Sequence, residues 1–411
     1  MSDAFERLGQ ALRRGGARAG FEVLAGRFRE QKQYPALFEL RLLEKRHELG
    51  LPLVQTETAA ELAPETRRAY DEAFIQAARE VGSLFLADGS IARAWPYFRA
   101  IGESAPVAAS IEAFCSAEAV PADRRDPAAP SPVAEDAGPG RASEDADAVI
   151  EIAFHERVHP RKGYELILKN YGTCRAISFF EQYPDRATRE DALALLARTL
   201  HQELLAALRR SIEGAEGAAP APAASAAELI AGRDWLFGEY DYYVDTSHVI
   251  SVIRFSLDSA RPETLEIARD LARYGARLSS MFQFRGEPPF EAGFPDYAIY
   301  LDALLRHEVE SALAHFRGKL PAPGEDPSAA AAQFLVRLLV RLELYREALD
   351  VSLAHLRELG REQLICPTPL ELCQLSGDYE RMAGLAQEQN DLVSYTAAAL
   401  QLEQARATSS T

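Results

Sequence analysis

The residues best equipped for chemistry sit in the stretch IEIAFHERVHPRKGYE, residues 151–166, which contains His155-Glu156-Arg157-Val158-His159. If this segment is helical, residues i and i+4 share one face, and two imidazoles converge on a single ion. The glutamate between them then stands where it can take a proton from metal-bound water. A third ligand has to come from elsewhere, and EYDYYVDTSHVISVIRF, residues 239–255, supplies His248 beside Asp245. Asp245, Thr246 or Ser247 can cap a helix starting near His248. The resulting expectation is a site with His155, His159 and His248 as ligands and Glu156 as general base. Asp245 would serve as a fourth ligand or as the group orienting an imidazole. The ion would be zinc or another divalent transition metal.

The same letters also argue the other way. Pro160 follows His159 directly and pushes it out of the helical region, and Arg157 places a cation between the two histidines. The letters H-E-x-x-H resemble those of zinc hydrolases, and that resemblance implies metal-dependent hydrolysis. The flanks depart from it, because Gly163 falls one position late for the continuation H-x-x-G-x-x-H. On the alternative reading, His155 and His159 are partly exposed structural residues, His248 is a capping histidine, and no cofactor is bound. Cys174, in NYGTCRAISFF, is expected to be a small buried residue early in a helix capped by Thr173 rather than a nucleophile. Neither G-x-S-x-G nor a G-x-x-x-x-G-K-[ST] loop occurs, and GGARAG (15–20) reads as a helix break between residues 14 and 17.

Composition limits the partners. The chain has 411 residues, 45 Lys+Arg against 62 Asp+Glu and a formal net charge of −17. A surface of that sign repels nucleic-acid backbones and anionic membranes. No window holds 18 consecutive apolar residues, and the first residues, MSDAFERLGQALRRGG, read as an amphipathic helix rather than a signal segment. The 4 cysteines are widely scattered, as expected of reduced thiols in a cytoplasmic protein.

The elements that must carry these residues read as helices almost throughout, and the expected class is all-α. Segments 64–86 and 185–212 repeat apolar residues at three- and four-residue steps, and Pro262 marks a helix start. AVIEIAF (148–154) and HVISVIRF (248–255) are the best strand candidates, though both also read as helix. Residues 119–146, rich in Pro, Ala and acid, form a linker on composition; 213–226 and 320–328 are shorter breaks. The expected organisation is an N-terminal helical domain (1–118), the linker (119–146), a central region with the candidate site (147–320) and a C-terminal helical block (321–411). DWLFGEYDYYVD (234–245) is a cluster of aromatics that either lines a groove or fills a helical junction. FQFRGEPPFEAGFPDY (282–297) is expected to pack as an apolar loop over the helical core.

One phrase recurs. LELYREALDVSLAHL (342–356) and SGDYERMAGLAQEQN (376–390) share a turn, an aromatic and, three positions on, Ala348 or Met382, with Tyr345 and Tyr379 spaced by 34. ADGSIARAWPYFRAI (87–101) and KQYPALFELRLL (32–43) echo it. The phrase resembles that of the tetratricopeptide family, chiefly over 338–390, and implies stacked helical hairpins in an α-solenoid. It also implies a scaffold whose surface binds a protein, peptide or small ligand. A metal-dependent hydrolase seated in the array is the alternative.

Overall fold

The computed structural model describes residues 2–54, 62–118, 141–322 and 329–409. Most of the 119–146 segment and residues 323–328 of the third break therefore lie outside the described residues. Among the described residues the secondary structure is entirely helical, with no strand. Both strand candidates are helical: 148–154 spans the end of the Arg141–Ile150 helix and a wider π turn (Glu151–His155), and 248–255 lies in the Thr246–Ser256 helix. No helix of the described residues is long and apolar enough to cross a membrane.

The chain divides into two compact units, Met1–Ala192 and Leu193–Thr411. The division does not follow the composition-based segments, since the helices after 140 pack with the N-terminal ones. In the first unit, the helix Ser2–Glu30 breaks at Gly16 (φ 68°, ψ −165°), inside the expected interval of 14–17. The helices Tyr34–Glu48, Pro64–Ala87 and Ile91–Ala100 pack through an aromatic cluster. Tyr34 meets Phe85 edge-on at 5.0 Å, Phe38 meets Phe74 at 5.4 Å, and Tyr97 stacks on Phe85 at 5.8 Å.

In the second unit, Leu196, Leu200, Leu204, Leu208 and Ile212 recur every fourth residue along the helix Arg189–Glu216 and are all 0% exposed. Such a stripe is how a long amphipathic helix becomes a core element. The rest of this unit is a succession of short helices, each packed mainly on those just before and after it in the chain.

The recurring phrase corresponds to a recurring turn. Lys32, Gly89, Glu343 and Gly377 all have positive φ, between 54° and 74°. In each case the next residue's N–H donates back to the carbonyl five positions earlier: Gln33 to Phe28, Ser90 to Phe85, Leu344 to Leu339 and Asp378 to Cys373, at 2.8–3.0 Å. This left-handed closure satisfies the last carbonyls of one helix and reverses the chain. The next helix starts one residue later, at Tyr34, Ile91, Tyr345 and Tyr379. Three positions on, Leu37, Ala94, Ala348 and Met382 are at most 1% exposed.

Candidate functional site

Around His155 the backbone builds a corner instead of one continuous helix. The π turn closes with Glu156 N–H donating to Glu151 O at 3.0 Å, and Arg157 then takes φ 61°. His159 is extended (φ −151°, ψ 72°) and caps the helix Pro160–Glu181, with Pro160 in its first turn. This is the outcome that a proline after His159 favours. His155 and His159 consequently do not share a helical face, the geometry on which two-histidine coordination at this spacing depends.

Each member of the motif is engaged in packing or pairing. The exposed His155 ring meets Phe154 and Phe179 edge-on at 5.3 and 5.6 Å. Glu156 accepts from Arg99 Nη1 at 2.7 Å. His159 accepts from Gly163 N–H through its carbonyl and donates its own N–H to Ala153 O, both at 3.0 Å. Gly163 is needed here, because a Cβ at that position would lie 2.7 Å from Phe154 N. The letters thus describe a tight helix-to-helix corner.

Asp245 and His248, in the second unit, do come together. Asp245 caps the helix Thr246–Ser256, its Oδ1 accepting from Ser247 N–H at 2.8 Å and Ser247 Oγ at 2.6 Å. These bonds from Ser247, aided by His248, hold the Asp245 carboxyl below the usual carboxylate range. His248 is half-buried in the first turn. Among the described residues no group of three or more His, Cys, Asp or Glu side chains is placed to hold a metal ion.

The thiol expectation needs correction. Cys174 is exposed and its neighbour Thr173 is buried, because Gly172 (φ 75°, ψ −179°) interrupts the helix and turns the following face. Cys115 and Cys373 are buried, and Cys366 is partly so.

Two buried polar clusters escaped the sequence reading. Asp270, 7% exposed, accepts from His201 Nε2 at 2.7 Å and from the N–H groups of Ala226 (2.5 Å) and Ala227 (3.1 Å). Burial pushes its carboxyl up, but these donors outweigh burial and hold it low. Asp296, 1% exposed, accepts from Lys319 Nζ at 2.6 Å, His315 Nε2 at 2.8 Å and Ala292 N–H at 2.7 Å. Both clusters join segments distant in sequence, and the donors of each converge on one carboxylate, so they act as ties. An acid on an otherwise apolar helix face, as Asp270 is in LEIARDLARYG, was the signal available.

Another exposed apolar surface among the described residues is the aromatic run at 234–245. Its backbone is fixed: Leu236 is buried, Tyr243 N–H donates to Tyr274 Oη at 2.9 Å, Tyr243 Oη donates to Leu236 O at 2.9 Å, and Ser279 Oγ donates to Glu239 O at 2.7 Å. Yet Trp235 (46%), Tyr240 (68%) and Tyr242 (55%) face solvent, as does Met281 (54%), whose neighbour Phe282 packs on Tyr242 at 5.0 Å. The chain matches no protein-family model, and no curated protein or solved structure matches it.

Proposed function

We propose that this chain is a helical-repeat binding scaffold, and that the loop 234–243 together with Met281 is where it holds a protein or peptide partner. The observation that carries this reading is the combination of a fixed backbone with exposed Trp235, Tyr240 and Tyr242. Large aromatics are the residues that dominate binding interfaces. Holding their loop in place beforehand lowers the ordering cost of association. Folding gains little from leaving them in water, and grouped exposed apolar side chains mark interaction sites.

Two further features favour a repeat scaffold. Successive helices of the second unit pack mainly on chain neighbours, and the same left-handed turn recurs at Lys32, Gly89, Glu343 and Gly377. Both are habits of arrays built from local hairpins. The hydrolase alternative needs His155 and His159 on one helical face, and the corner at 156–159 does not supply it.

The test is retention of a partner from an extract of the cells that make the chain. Immobilised wild type and the triple variant Trp235→Ala/Tyr240→Ala/Tyr242→Ala are compared, with the retained proteins quantified against the bait. We expect a protein held in near-stoichiometric amount by wild type and lost by the variant. Equal retention by both would remove the loop from the account.

A further inference from the structure

The charge around the exposed aromatics gives the class of partner, an inference that rests on the scaffold reading above. The loop carries Glu239, Asp241 and Asp245, all exposed. Among the described residues the Glu239 carboxylate has no hydrogen-bond or ion-pair partner, and Asp241 accepts only from Gly238 N–H, at 3.1 Å. The neighbouring cations are largely engaged: Arg233 pairs with Glu216 at 2.6 Å and Arg277 with Asp234 at 2.5 Å. Arg254, nine residues after Asp245, donates to Tyr297 Oη at 3.1 Å, and Arg285 lies three residues after Phe282.

The protein itself shows what such a surface accepts. The Arg277 guanidinium lies 4.8 Å from the Phe237 ring centre while binding the Asp234 carboxylate. A cation over an aromatic face, closed by a carboxylate, is favourable because the ring's negative face and the anion act on the same charge. Beside it, Tyr240 and Tyr242 alternate with Glu239 and Asp241 and offer the same two ingredients with no cation supplied. We infer that the loop binds an arginine- or lysine-bearing segment of a partner protein, its cationic side chains seated against Trp235, Tyr240 and Tyr242 and paired with Glu239 and Asp241. The net charge of −17 would speed the encounter with a basic segment.

The experiment uses the full chain carrying Trp95→Phe, which leaves Trp235 as the reporter in a protein with 2 tryptophans. The probe is a fluorescein-labelled peptide of about ten residues with arginine at alternate positions and serine between, in buffer of about 0.15 M salt, where long-range attraction is screened. Matched peptides carry citrulline or glutamate in place of arginine. The arginine peptide is expected to bind saturably and change Trp235 emission, and the citrulline and glutamate peptides to do neither. Affinity should fall about tenfold or more in Tyr240→Ala/Tyr242→Ala and in Glu239→Gln/Asp241→Asn. Three results each overturn the assignment: no binding of the arginine peptide, binding that ignores these loop substitutions, or equal binding of the glutamate peptide. If the arginine peptide fails while partner retention still depends on the loop, the partner class is wrong and the scaffold reading survives.

Discussion

Two aromatic-rich loops of the second unit have opposite fates. The loop before the Phe294–Leu304 helix buries its rings: Phe290 (3% exposed) stacks on Tyr297 at 4.1 Å, and Phe294 is fully buried. Gly275 opens the space that the Phe294 ring occupies. Beneath it Lys319 Nζ donates to Pro289 O, Glu291 and Asp296 at 2.6–2.7 Å, fastening loop to helix. The 234–243 loop is also fastened, through Leu236, Tyr243 and Ser279, and Phe237 and Tyr243 pack on Tyr274, but Trp235, Tyr240 and Tyr242 face solvent. Similar composition is used once for cohesion and once for presentation, and what separates them is which side chains the anchoring bonds leave exposed. Stability should therefore depend heavily on the first loop and recognition on the second.

The largest effect is expected from Phe290→Ala. It removes a ring in contact with Tyr297, Tyr300, Phe316 and Phe334 and should cost about 3–5 kcal/mol in chemical denaturation. A cost below about 1 kcal/mol would mean that the loop does not close the core.

Next comes Asp296. Asp296→Asn should cost about 3 kcal/mol near neutral pH, because Lys319 loses its buried counter-charge. Burial pushes this carboxyl up, but Lys319, His315 and Ala292 hold it below the usual range. Its stabilisation is thus complete above the unfolded carboxylate value of about 3.9 and is lost as pH falls through the lower folded value. Wild type and Asn variant should accordingly converge in stability below about pH 4. A gap that stays constant from pH 7 to pH 2.5 contradicts the ion-pair assignment.

Tyr243→Phe is smaller. It deletes the bond to Leu236 O and should cost about 1 kcal/mol, while weakening partner retention by freeing the loop. Unchanged hydrogen exchange at the 234–243 amides in this variant would mean that other contacts hold the loop.

Much of the helical plan was legible because its signals are local. The break at 14–17, the Pro262 start, the Asp245 cap and the turns before Tyr345 and Tyr379 each depend on a few adjacent residues. The packing of Phe290, Phe294 and Tyr297 into the core followed from the density of aromatics in 282–297. The His155–His159 spacing was misleading for a physical reason: i, i+4 periodicity presumes an unbroken helix, and Pro160 together with Arg157 in a left-handed conformation ends it. Cys174 was misplaced because Gly172 resets the helical face within an otherwise periodic segment. The His201–Asp270 and Asp296–His315–Lys319 ties were missed because their partners are 69, 19 and 23 residues apart, beyond any local spacing rule.

The most direct test puts stability and partner retention on the same triple variant, Trp235→Ala/Tyr240→Ala/Tyr242→Ala. Exposed side chains of this kind contribute within about 0.5 kcal/mol each, so the three together should move Tm by no more than about 6 °C while the retained partner disappears. A strongly destabilised variant, or one that folds normally and still holds the partner, would contradict the claim that these rings are there for recognition.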